Sequence, residues 1–73
     1  MKIQEYVLKN KVREYRLKHG ISQQKLADEV GVSRNTINTI EHSDVDIGVK
    51  LAMKLCLYFR VPYEELFGME RKQ

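Results

Sequence analysis

The sequence predicts an all-α protein, a compact bundle of four or five helices preceded by a short N-terminal arm or strand. Three observations predict it. Core-facing residues recur at helical spacing in separate stretches: Val12, Tyr15, Arg16 and His19, then Leu26, Ala27 and Val30, then Ile37 and Ile40, then Leu51, Ala52, Leu55, Cys56 and Phe59. Residues that open and close helices fall between those stretches, Ser22 and Ser33 as N-caps and Gly20 and Gly31 as stops. No alternating apolar pattern is long enough for a β-sheet core. At 73 residues the chain is one domain near the lower limit for a core without staples, and no Pro/Gly/Ser-rich linker divides it.

Taken in order, residues 1–9 read as an arm, a short strand or an extended segment. The first helix opens near Asn10 and ends at Gly20. Arg16 falls on its core-facing stripe, where a guanidinium needs a partner, and Glu41 near the end of the third helix is the candidate. Ile21 packs ahead of a second helix capped by Ser22. Gly31 supplies the positive φ of a sharp turn into a third helix over 33–42, and Ala27 is the small residue that two steeply crossed helices require. His42-Ser43-Asp44-Val45-Asp46 is a polar loop. A fourth helix follows over about Val49 to Phe59, broken by Arg60-Val61-Pro62. Pro62 then suits the first position of a short fifth helix, with Glu64 and Glu65 in its positive first turn and Leu66 and Phe67 turned inward. Residues 10–67 form the folded domain, and the tail 68–73 is expected to fray.

Composition narrows the functional classes. A single cysteine, Cys56, excludes an internal disulfide and any multi-cysteine zinc site, and its neighbours mark it as a small core residue. His19 has no second ligand at metal spacing and suits a helix C-terminus instead. No apolar run reaches membrane-spanning length and no signal-peptide pattern opens the chain, so the expected setting is the reducing cytoplasm. The net charge of +3 favours anionic partners weakly. Lys2, Lys9, Lys11, Arg13, Arg16, Lys18 and Lys25 make the first third the more basic part, as a phosphate-facing edge would be.

The third helix carries the chemistry. Ile37 and Ile40 form a narrow apolar stripe, and Arg34, Asn35, Asn38 and Thr39 occupy the opposite side. These groups match base edges in the DNA major groove: Arg suits guanine, Asn suits adenine, and the Thr methyl suits thymine. Plain solvation of a polar helix face explains the same composition. Catalysis finds no constellation. Glu64, Glu65, His19, His42 and Cys56 are dispersed, and adjacent glutamates diverge by about 100° on a helix. No Gly-rich phosphate loop, strained nucleophile or metal pair appears, so neither an enzyme nor a cofactor is expected.

The string NKVREYRLKHGISQQKLADEVGVSRNTINTIEH, continued by VKLAMKLCLYFRVPYEELF, resembles the phage-repressor-like (Cro/C1, XRE-type, lambda-repressor-like) helix-turn-helix DNA-binding family over Asn10 to Phe67. The segments SQQKLA, VGVSR, TINTIE and VPYEELF stand in the family's order and separation. The resemblance implies that Gln23 to Val30 is a positioning helix and that 33–42 is the recognition helix in the major groove. It implies base contacts from Arg34, Asn35, Asn38 and Thr39, and phosphate contacts from Ser22, Gln23, Ser33 and His42. The Arg16–Glu41 pair matches one that fixes the recognition helix in the family. Asp44 and Asp46 depart from the pattern, because acidic groups in that loop repel a phosphate backbone. Arg60 departs too, standing where the family places Gly or Asn.

The function expected is a sequence-specific regulator of transcription, a repressor, binding palindromic double-stranded operator DNA as a homodimer. Leu17 and Leu57, where polar surface residues are expected, are the candidate dimer contacts. The alternative is an antitoxin-like module that grips a protein partner with the same fold.

Overall fold

In the computed structural model the described residues are 2–42 and 47–71. A single 3-10 turn at Ile3–Glu5 leads into strand β1 (Tyr6–Asn10), followed by helices α1 (Val12–Lys18), α2 (Gln23–Val30), α3 (Arg34–His42), α4 (Val49–Phe59) and α5 (Tyr63–Leu66), and by strand β2 (Phe67–Arg71). The five helices are those that the stripes require. Ser22 Oγ accepts from the Lys25 backbone N–H at 3.0 Å and starts α2. Ser33 Oγ accepts from the Thr36 N–H at 3.1 Å and starts α3. Between them Gly31 takes φ 75°, the left-handed stop that turns one helix into the next. Among the described residues, no helix is long and apolar enough to cross a membrane.

The core gathers Val12, Leu26, Ala27, Val30, Ile37, Ile40, Ala52, Leu55, Phe59, Leu66 and Phe67, with Ile21, Leu51 and Cys56 packed half-buried against it. Ala27 is fully buried, as a steep crossing of α2 and α3 demands. Tyr15 of α1 and His19, the C-cap just beyond it, lean on Phe59 of α4, with ring centroids 5.8 and 5.1 Å apart. The Tyr15 hydroxyl donates to Glu65 Oε1 at 2.8 Å and so ties α1 to α5.

Three expectations need correction. The tail does not fray over 68–71: β2 pairs antiparallel with β1, placing Leu8 opposite Met69 and Asn10 opposite Phe67. A strand pairing across the whole chain length leaves no local signature, and its Gly68 and charged residues read as loop. Residues 72–73 lie outside the described residues, as do Asp44 and Asp46. Helix α1 begins at Val12, not at Asn10. Asn10 ends β1 instead, and its side chain works as a clip: Oδ1 accepts from the Val12 N–H at 3.1 Å and Nδ2 donates to the Ile40 carbonyl at 3.1 Å. Pro62 caps α5 from just outside, with ψ 159°, and does not occupy its first turn.

Candidate nucleic-acid interface

Seen down α3 at about 100° per residue, Arg34, Asn38, His42, Asn35 and Thr39 span an arc of about 140°, and Ile37 and Ile40 lie on the other side. Burial follows that division. Ile37 and Ile40 are buried, while Arg34, Asn35, Thr39 and His42 are exposed and Asn38 is half-buried. The caps leave the first backbone N–H groups of α2 and α3 without helical partners, a pair of positive ends suited to anions. Ser22 and Ser33 spend their hydroxyl oxygens on those caps, and Ser33 Oγ also lies 2.9 Å from Thr36 Oγ1. His42 turns Nδ1 back to the Asn38 carbonyl at 2.9 Å.

Behind this face is a polar network. Arg16 Nε donates to Glu41 Oε2 at 2.7 Å and Nη2 donates to Oε1 at 3.1 Å, a two-pronged ion pair. Arg16 Nη1 donates to the Ile21 carbonyl at 2.9 Å. The Glu41 side chain is fully buried. Burial pushes its carboxyl up, but hydrogen bonds from Arg16 and Gln23 and the Arg16 charge outweigh that, holding it below the usual carboxylate range. The same contact holds the Arg16 guanidinium above its ordinary value. Gln23 Nε2 donates to Glu41 Oε1 at 3.1 Å and to Asn38 Oδ1 at 3.2 Å. The structure thus joins Arg16, Gln23, Asn38 and Glu41, and fixes α3 against α1 and α2. The partner of Arg16 was legible from its place on a buried stripe. The inward turn of Gln23 was not, because it depends on how closely α2 approaches α3.

The basic edge is thinner than the sequence suggests. Lys25 pairs with Glu29 at 2.8 Å and Lys9 with Glu70 at 3.9 Å, and Lys18 lies 4.9 Å from the centre of the Tyr15 ring. Leu17 and Leu57 are 52% and 76% exposed, so both are available for contact. They do not share a face. Leu17 lies about 160–200° around α1 from Tyr15 and His19, the residues that face α4. Leu57 instead continues a stripe with the exposed Val49 and Met53 on α4.

His19, His42, Cys56 and the adjacent Glu64–Glu65 pair of α5 stay on different parts of the chain, and no group of three or more His, Cys, Asp or Glu among the described residues could hold a metal ion. His19 Nδ1 meets the Tyr15 carbonyl at 2.8 Å. Burial, then the charge of Glu64, pushes the Cys56 thiol up, away from the reactive thiolate.

Residues 12–66 match a family model described as helix-turn-helix. The chain belongs to the Cro/C1-type helix-turn-helix family. An uncharacterised HTH-type transcriptional regulator of Bacillus subtilis is 42% identical over 65 residues, 89% of this chain and 98% of the relative. One from Methanocaldococcus jannaschii is 43% identical over 63 residues, 86% and 96% of the two chains. A third, from Archaeoglobus fulgidus, is 37% identical over 60 residues, 82% and 86%. The family-model match, residues 12–66, takes in all five helices of this Cro/C1-type domain.

Proposed function

We propose that this Cro/C1-type helix-turn-helix protein is a cytoplasmic, sequence-specific DNA-binding regulator that represses transcription by occupying an operator. Helix α3 enters the major groove by its N-terminal end, where Arg34, Asn35, Asn38 and Thr39 meet base edges. Ser22, Gln23, Ser33 and His42 border that face and meet phosphates, Gln23 through its backbone N–H at the start of α2. One observation carries the reading: Arg34 and Asn35 are exposed at the opening of a helix whose reverse side is buried and braced by the Arg16–Glu41 pair. Repression needs only occupancy of DNA, whereas activation needs a further contact with the transcription machinery.

A single recognition helix reads a few base pairs, each mismatch costing about 1–3 kcal/mol, too little to single out a site in a genome. Two copies related by a two-fold axis double the readout and fix half-sites roughly 34 Å apart, which is a palindrome. The exposed Val49–Met53–Leu57 stripe favours an apolar contact with another chain, either that second copy or, in the antitoxin-like reading, a different protein.

The experiment is an anisotropy titration against a duplex selected from a random pool. Arg34→Ala and Asn35→Ala are each expected to weaken binding to the selected duplex by about 1–3 kcal/mol, leaving the melting temperature unchanged. Variants that bind as tightly as the wild type would remove the proposal.

A further inference from the structure

Asn38 and Gln23 form a unit whose orientation is dictated from inside the protein. Glu41 is ionised and can only accept hydrogen bonds. Gln23 lies 3.1 Å from Glu41 Oε1 and must therefore present its Nε2 group, not its oxygen, to that side. The two hydrogens on Nε2 are then used, one on Glu41 and one on Asn38, 3.2 Å away. Asn38 in turn must offer Oδ1 to Gln23. Its Nδ2, which takes part in no hydrogen bond among the described residues, is left on the far side of the amide, on the same arc of α3 as Arg34. A buried charge thus fixes which end of a half-exposed amide is turned away from the protein.

We infer that Gln23 is a positioning residue that makes Asn38 a hydrogen-bond donor toward the major groove, so that Asn38 reads guanine and not adenine. An asparagine reads adenine by accepting from N6 and donating to N7, which needs both ends of its amide. With Oδ1 turned back to Gln23 of α2, its second lone pair is drawn away from the groove and Nδ2 is the end that faces it. Guanine presents two adjacent acceptors, N7 and O6, whereas adenine presents a donor beside N7. The inference rests on the proposed reading of α3 as the recognition helix and deepens it at one base pair. It gives the Gln23 side chain a role separate from its backbone contact with phosphate.

The test compares base preferences selected from a random duplex pool by the wild-type protein and by Asn38→Ala, Gln23→Met and Asn38→Asp, each checked for an unchanged melting temperature. Methionine keeps the volume of glutamine and removes both donors. Aspartate keeps the acceptor for Gln23 and removes the outward donor. The wild type is expected to prefer guanine over adenine about tenfold at the one position that Asn38→Ala makes indifferent. Gln23→Met should lose that preference at the same position and keep the preferences lost in Arg34→Ala. Asn38→Asp should lose it as well while remaining folded. If Gln23→Met proves unstable, Asn38→Asp alone decides: retained preference for guanine overturns the inference. A uniform loss at all positions in Gln23→Met, or adenine at the Asn38 position, overturns the inference and leaves the DNA-binding reading standing. Failure of the wild type to enrich any duplex overturns both.

Discussion

Glu41 holds a fully buried carboxylate in the last turn of α3, and its charge is tolerable only because Arg16 and Gln23 meet it from two other helices. Removing one partner strands the other, so Arg16→Ala or Glu41→Ala should each cost about 3–5 kcal/mol in urea unfolding. The paired replacement Arg16→Met with Glu41→Leu should cost far less, because no charge is then stranded. The same pair imposes a pH dependence. The folded carboxyl titrates below its unfolded value, so the folded state binds fewer protons in mildly acid solution. Its contribution is complete above the ordinary glutamate value of about 4.3 and is lost as the pH falls through the lower folded value. Urea midpoints near pH 7 and near pH 3 should therefore fall more steeply in the wild type than in Glu41→Gln, and parallel declines would contradict the assignment.

Among the elements, the end of α4 carries strain that a substitution can relieve. Arg60 takes φ 58° and ψ 46°, a left-handed position that costs a side chain roughly 1–2 kcal/mol. Arg60→Gly removes that cost and gives back about half of it as unfolded-chain entropy, for a net gain of about 0.5–1 kcal/mol in thermal unfolding. The β1–β2 ribbon is the weak element. Two strands alone are marginal in water, so the Tyr6–Asn10 amides should exchange hydrogen faster than those of α2 and α3. The difference in legibility follows from locality. Helices α1 to α4 announce themselves because their caps and stripes are neighbours in sequence. The ribbon joins the two ends of the chain, and nothing in Phe67-Gly68-Met69-Glu70-Arg71 points to Tyr6–Asn10. The arrangement of the candidate interface was legible to the same degree. Arg34 and Asn35 follow from the face opposite Ile37 and Ile40, whereas the Gln23–Asn38 contact and the separation of Leu17 from Leu57 depend on how whole helices lie against one another.

For the whole molecule, the described residues present a polar face on α3 and an exposed apolar stripe on α4, and the proposed repressor needs both. Sedimentation of the protein with a selected duplex should give two chains per site. Leu57→Ser should reduce that to one, because Leu57 continues the Val49–Met53 stripe, whereas Leu17→Ser should not, because Leu17 follows Arg13 on the other side of α1. The opposite result would move the contact to α1. The most direct measurement is an NMR titration of the labelled protein with its selected duplex. The backbone amides of Ser33 to Thr39 and of Gln23 and Gln24 should shift most, with little change along the exposed face of α4 beyond that caused by pairing of chains. Shifts confined to α4 or the ribbon, with α3 unmoved, would contradict the account.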